Sequence, residues 1–388
     1  MLHACGAELL LVGRDVARIN AIFPDFAACS YDEVTSHAVG FDLFVHMAAI
    51  NSDSTAPVQT YFDVNVDLAL AAAASSKAAG VGRFVYISST HALDGSNTGP
   101  YAASKREGAR RLTEAYGDYA LIVHLPAVYG EQWAGRLAQL NRLPKPVAKP
   151  LFSVVAALKP TLSTSRLVQF LLHVAGTPLE RDIILSDGQQ NNPVYRAVRR
   201  TIDLGAALVI AVFFWWALAL VWIAIRLESA GPGIFAQQRI GRNGAIFTCY
   251  KFRTMKLGTV QAATNLVSSQ AVTRMGQFLR KSKIDELPQI LNIFRNQISL
   301  IGPRPCLPVQ KELIAARSAR AVLALKPGIT GLAQVNGIDM SDPQRLAVWD
   351  ARYAALQCLA LDIKILLATV LGKGGGDRVA QDRVPSAQ

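Results

Sequence analysis

The sequence predicts an α/β protein in two parts: an incomplete doubly wound parallel sheet, then a membrane-inserted helix leading into a mainly helical α+β domain. Three observations carry this. Short apolar runs alternate with helical stretches through residues 1–190, residues 204–225 carry no charge, and residues 281–294 set two adjacent acids at the head of an amphipathic run. Strands alternating with helices of this length pair in parallel. A chain of 388 residues fits two domains, each large enough to bury its own core.

In the first part, ELLLVG (8–13) and DLFVHMAA (42–49) read as buried strands, the Ala-rich stretch 63–79 as a helix, and RFVYIS (83–88) as a third strand. No signal peptide is expected, because Glu8, Arg14 and Asp15 interrupt any early apolar run. Thr90 follows a strand. Tyr101 and Lys105 in YAASK fall one helical turn apart, where an ammonium can lower a phenol pKa and hold a ribose hydroxyl. An ordinary surface helix also accommodates this spacing.

The polar stretch DGQQNNPV (187–194) suits a break between domains, and 191–200 a linker. The 22 uncharged residues of 204–225 would extend about 33 Å as one helix. That is enough to cross a hydrocarbon layer of about 30 Å, so residues 201–226 are expected in a membrane. Arg196, Arg199 and Arg200 precede the belt and Arg226 follows it, which leaves a spanning and a re-entrant helix both open.

A formal net charge of +12 calls for an anionic partner, and a positive mean hydropathy turns that choice from nucleic acid toward membrane or phosphorylated substrates. The five cysteines, Cys5, Cys29, Cys249, Cys306 and Cys358, have no metal-site or disulfide spacing. After the belt, Arg239, Arg242, Lys251 and Arg253 interleave with Phe235, Phe247, Tyr250 and Phe252, a pattern suited to phosphate at an interface. Leu287, Ile290, Leu291 and Phe294 then mark a helix whose N-cap is expected near Asp285, with Pro288 in its first turn.

GPGIFAQQRIGRNG, KFRTM, DELPQ, SLIGPRP and PGITGLAQVNG follow the belt in that order, and residues 199–371 closely resemble the bacterial sugar transferases, monotopic polyprenyl-phosphate phosphoglycosyl transferases. DLFVHMAA, RFVYISST, YAASK and LPAVYG, over residues 1–190, resemble the extended short-chain dehydrogenase/reductases, a Rossmann-like family of NAD-dependent epimerases and dehydratases. The first resemblance implies that Asp285 attacks the sugar-proximal phosphate of a UDP-sugar, releasing UMP and forming an aspartyl phosphosugar that polyprenyl (undecaprenyl) phosphate then accepts. It implies Mg²⁺ held with Asp285 and Glu286, phosphate contacts from Lys251, Arg253, Arg280 and Arg304, a nucleotide-sugar pocket near residues 327–337, and a place on the cytoplasmic face of a bacterial inner membrane, at the start of exopolysaccharide, O-antigen or other glycan assembly. The catalytic domain is then 227–372, with a tail at 373–388. The second implies a site of Thr90, Tyr101 and Lys105.

Departures from both patterns are specific. No GxxGxxG turn stands near Gly6 or Gly13, the family's first strand is missing, and Leu125 replaces the Arg expected before Pro126, so an intact NAD(P) site is not expected. In the transferase part, Trp215 and Trp216 stand where the family has a Ser-Pro helix break, Asn296 and Gln297 replace Gly-Asp, and Ile338 replaces Arg. A Pro-free belt can run straight. The alternatives to a transferase are an NAD(P)-dependent nucleotide-sugar enzyme and a non-catalytic membrane scaffold.

Overall fold

The computed structural model describes residues 1–133, 135–176, 180–258 and 271–374. Most of the expected tail, 375–388, lies outside them. The chain divides into one unit of Met1–Ala148 with Pro160–Asp187, and a second of Lys149–Lys159 with the chain from Gly188 onward.

In the first unit, β1 (Leu10–Val12), α1 (Val16–Ile22) and β2 (Ala27–Cys29) come first, followed by β3 (Leu43–His46), α2 (Leu68–Ala78), β4 (Arg83–Ser89), α3 (Pro100–Tyr116) and β5 (Ala120–Leu125). Then come β6 (Ala127–Tyr129), β7 (Thr161–Ser163), α4 (Thr164–Val174) and β8 (Asp182–Ile184). The main sheet is parallel in the order β3-β4-β5-β8. Successive residues of a strand point to opposite faces. Phe84 and Tyr86 accordingly pack with Ala69, Ala72 and Leu112, and Val85 with Leu167, Leu171 and Val174. Both faces are covered, as a parallel sheet requires.

The expected strand at 8–13 shortens to Leu10–Val12 and is half-buried. It pairs with β2 alone, in a separate two-stranded sheet, and neither joins β3. Leu10 and Val12 nevertheless pack on the same core as Phe44 and Phe84. The strands thus form two separate parallel sheets, β1-β2 and β3-β4-β5-β8.

The second unit contains α5 (Pro193–Phe213), α6 (Trp215–Glu228), the antiparallel hairpin β9 (Ile234–Ile240) and β10 (Ile246–Phe252), and α7 (Arg274–Ser282). A 3₁₀ turn, Ile284–Gln289, leads into α8 (Ile290–Phe294), β11 (Ser299–Ile301), α9 (Lys311–Ala319), β12 (Gly328–Thr330), α10 (Pro343–Leu356) and α11 (Leu359–Val370). β11 and β12 pair in parallel, so close together that a Cβ on Gly328 would collide with the Gly302 backbone. That contact explains the glycines of SLIGPRP and PGITG.

One expectation fails in this unit, and the straight form of the belt is not found. The linker 191–200 is helical from Pro193, where Asn192 caps α5 by accepting from the amides of Val194 and Tyr195. The belt is neither one helix nor straight: α5 and α6 are bent by 68° across Phe214, and no single helix among the described residues is long and apolar enough to cross a membrane. Phe214 leaves helical geometry at φ −118°, ψ 7°, and the indole Nε1 of Trp216 donates to the Phe213 carbonyl at 2.9 Å. The tryptophan thus satisfies an acceptor at the helix break.

Arginines expected to flank the belt are used inside the unit. Arg200 donates to the Ile293 carbonyl at 2.8 Å, at the end of α8, and Arg199 donates to Tyr195 Oη at 3.0 Å and to Ser299 Oγ at 3.1 Å. Asp362 accepts from Tyr195 and Tyr353 at 2.6 and 2.8 Å, and Asp203 from Ser299 Oγ and the Leu300 amide at 2.9 and 2.8 Å. This satisfied buried network fastens α5 to β11 and α11.

Candidate active site

Strand β10 ends in KFRTM beside the turn Ile284–Gln289. Phe252 packs in the core with Ile225 and Leu279 and borders a cavity that Lys251 also lines. Phe247 is also buried, so the basic–aromatic interleaving reflects in part the two faces of a hairpin. Helix α7 comes close enough to the Thr254 carbonyl that a Cβ on Gly276 would clash with it. It places Arg280 Nε at 2.9 Å from Thr254 Oγ1.

Asp285 is not an N-cap. Lys283, in left-handed backbone, precedes the 3₁₀ turn, and no side-chain cap bond forms there. Asp285 and Glu286 instead lie within the turn and line a cavity of about 460 Å³. Seven cations share that wall with them: Arg239, Lys251, Arg253, Lys256, Arg280, Lys283 and Arg304. At its apolar part the lining includes Ile210, Ile290, Ile293, Leu300 and Ile329.

The two acids differ in environment. Glu286 Oε1 accepts from Lys251 Nζ at 2.8 Å and from Arg304 Nη2 at 3.0 Å. No described side chain is hydrogen-bonded to Asp285. Burial, and secondarily the neighbouring Glu286 charge, push the Asp285 carboxyl up to about 6, against the pull of Lys251, Arg280 and Arg304. At neutral pH it is still mainly a carboxylate, and a more basic one than usual.

All six sequence-predicted groups of this domain, Lys251, Arg253, Arg280, Asp285, Glu286 and Arg304, line the one cavity. Arg253 departs from its expected role. It is 6% exposed, and its guanidinium donates to the carbonyls of Ala230 and Ser229 at 2.6 and 2.7 Å, closing the end of α6. Lys251 and Arg304 balance Glu286 as well as facing the cavity.

Sequence reasoning did not pick out Gln237, Lys283 or Thr369 for the site, and it noted Arg239 only within the basic–aromatic run. Arg239 donates to the Pro305 carbonyl at 2.9 Å and to Gln237 Oε1 at 2.6 Å, joining β9 to SLIGPRP. Ile329, Thr330 and Gln334, within 327–337, line the cavity, whereas Ile338 is buried with Leu313 and Leu346. Asn296 takes the left-handed backbone of the expected glycine, and Gln297 Oε1 accepts from buried Asn292 at 2.7 Å. Neither replacement lies in the cavity wall.

Mg²⁺ commonly takes one or two carboxylates, with waters and substrate phosphates as its remaining ligands. Asp285 and Glu286 fit that need, although among the described residues no cluster of three metal-ligating side chains occurs.

In the first unit, Thr90 opens the turn after β4, and Tyr101 and Lys105 lie one turn apart on α3. Lys105 is buried. Its Nζ donates to the Ile87 carbonyl at 2.8 Å and sits 4.6 Å from the centre of the Tyr86 ring, and burial pulls the ammonium down to about 8. After β1, the loop holds Gly13 and Arg14, then Asp15, which caps α1 through the Arg18 amide.

Residues 194–373 match the profile of the bacterial sugar transferases, and residues 26–149 that of the NAD dependent epimerase/dehydratase family. A UDP-glucose:undecaprenyl-phosphate glucose-1-phosphate transferase of Caulobacter vibrioides is 39% identical over 182 residues, covering 44% of this chain and 68% of the relative. An undecaprenyl-phosphate glucose phosphotransferase of Komagataeibacter xylinus is 37% identical, over 44% of this chain and 35% of its own length. An undecaprenyl-phosphate galactose phosphotransferase of Salmonella typhimurium is 32% identical, over 46% and 42%. The chain thus spans well under half the length of the last two relatives. A solved UDP-N-acetylglucosamine 4-epimerase from Bacillus cereus overlaps 48% of this chain and 70% of its own, with TM-score 0.37 and 12% identity. With its acid pair, its basic wall and these sequence matches, the chain belongs to the bacterial sugar transferase family, and carries an epimerase/dehydratase-like segment ahead of the transferase part.

Proposed function

We propose that the chain transfers a sugar phosphate from a UDP-sugar to polyprenyl phosphate at a membrane surface, releasing UMP. One observation carries the reading. Glu286 is neutralised by two cations, while Asp285, in the same cavity, keeps a carboxylate of raised basicity without a hydrogen-bonded side chain.

A carboxylate oxygen of Asp285 attacks the phosphorus next to the sugar, and the bond from that phosphorus to the UMP oxygen breaks. UMP leaves, and an acyl phosphate joins Asp285 to the sugar. An oxygen of polyprenyl phosphate then attacks the same phosphorus, the bond to Asp285 breaks, and a polyprenyl diphosphosugar leaves with the carboxylate restored. Repulsion between carboxylate and diphosphate opposes the first step, and the cationic wall offsets it. Mg²⁺, when bound through Asp285 and Glu286, would supply further positive charge to the phosphates.

The bend supports a re-entrant placement. Residues 204–213 and 215–225 would each reach about 15 Å as helix, half of a hydrocarbon layer of about 30 Å. Leu208, Val212, Phe213, Trp215 and Leu220 are all more than half exposed, as lipid contact requires. Both ends of the V then return to one side, and the catalytic part lies on the cytoplasmic face of the inner membrane.

The test is UMP release in detergent across a panel of UDP-sugars, with and without Mg²⁺. Wild type should release UMP from at least one of them. Release that persists in Asp285→Asn would refute the reading.

A further inference from the structure

The turn that carries the acid pair is entered through a backbone conformation its residue does not favour. Lys283 has φ 59° and ψ 13°, closing α7 and leading into Ile284–Gln289. In this left-handed region a Cβ crowds the neighbouring carbonyl, and glycine or asparagine enters it more readily. Among the described residues, the other non-glycine positions with positive φ are Asn243, Asn296 and Ala321. None of these three lines the cavity, whereas Lys283 does. Such strain persists where the surrounding structure or the function of the side chain requires it.

The charge of Lys283 is also placed differently from those of Lys251 and Arg304. Lys251 and Arg304 are paired with Glu286, and Arg253 with the end of α6. Lys283 Nζ has a long contact to the Lys373 carbonyl, 3.5 Å, and no described carboxylate pairs with it. Its ammonium therefore stands two residues ahead of Asp285 with its charge uncompensated. A flexible, strongly hydrated ammonium suits the non-bridging oxygens of a phosphate.

We propose that Lys283 is a phosphate-binding residue of this cavity, placed there by its left-handed backbone. The inference rests on the proposed transferase function. Two substrates carry the required chemistry, the diphosphate of the donor and the monophosphate of the lipid acceptor, and the two half-reactions separate them.

The experiment uses the full chain in detergent, with the UDP-sugar that releases UMP fastest from a panel headed by UDP-glucose and UDP-galactose. Lys283→Asn removes the cation and keeps a residue that tolerates the conformation; Lys283→Arg keeps the cation. KM for the donor is read from UMP release, and KM for undecaprenyl phosphate from transfer out of preformed adduct. In Lys283→Asn one of these KM values should rise about tenfold, with kcat within about threefold and Tm unchanged or higher, while Lys283→Arg returns KM to within about twofold. The KM that moves names the phosphate that is bound. If both stay within about twofold of wild type, or if they rise only with a parallel fall in Tm that arginine does not repair, the proposal fails. Asp285→Asn in the same assay keeps the two ideas apart. UMP release by that variant would overturn the transferase reading, whereas its silence beside an unaltered Lys283→Asn would overturn the role of Lys283 alone.

Discussion

The turn Ile284–Gln289 and the start of α3 each carry a pair of titratable residues that chemistry could use, and they differ in what surrounds the pair. At the turn, Lys251 and Arg304 balance Glu286 and leave Asp285 to the cavity. On α3, the Lys105 ammonium is bonded to the Ile87 carbonyl and buried against Tyr86, both on the central strand β4. Spacing along a helix puts two groups near each other in both places. What separates a reactive pair from a buried one is the third and fourth group, which come from other elements.

The comparison can be broken most severely at Asp285. Asp285→Asn should lower UMP release by at least about 10³-fold, since it removes the proposed nucleophile. Glu286→Gln should cost about 10- to 100-fold in the same assay, because it takes away one of the two carboxylates proposed to hold Mg²⁺ and leaves Lys251 and Arg304 unbalanced. The pH profile sharpens the contrast. The Asp285 carboxyl ionises at about 6, above its ordinary value, so the nucleophile is present above that pH and is protonated below it. The rate of UMP release should therefore be flat above about pH 7 and fall about tenfold per unit well below 6; a profile that stays flat to pH 4.5 would contradict the raised ionisation.

Smaller effects are expected away from the cavity. Trp216→Phe removes the bond from Nε1 to the Phe213 carbonyl and should cost about 1 kcal/mol, seen as a fall of about 3 °C in Tm in detergent. No change in Tm would mean that lipid or water already satisfies that carbonyl. Lys105→Met should leave UMP release within about twofold. If it lowered the rate tenfold, the first unit would have a part in catalysis that the surroundings of Lys105 do not suggest.

Much of this molecule was legible from local pattern. The strands around RFVYIS and DLFVHMAA, the apolar belt and the acid pair all depend on periodicity and composition within a few residues. The misreadings share a cause. Arg253 was assigned to phosphate by the resemblance of KFRTM, but the carbonyls that hold its guanidinium, Ala230 and Ser229, are more than twenty residues away in sequence. The absence of proline suggested a straight belt, because an indole that accepts the break at Phe214 has no sequence signature. Asp285 resembled an N-cap because aspartate favours caps, yet a lysine in left-handed backbone converts the start of that helix into a 3₁₀ turn.

The most direct measurement is the intact mass of the purified protein after mixing with a reactive UDP-sugar and no lipid acceptor. The predicted result is a mass gain of one phosphosugar, mapped by peptide fragmentation to Asp285, absent from Asp285→Asn, and lost again on adding undecaprenyl phosphate. UMP release from wild type with no such adduct on Asp285, or an adduct on a different residue, would contradict the assignment of this aspartate as the nucleophile.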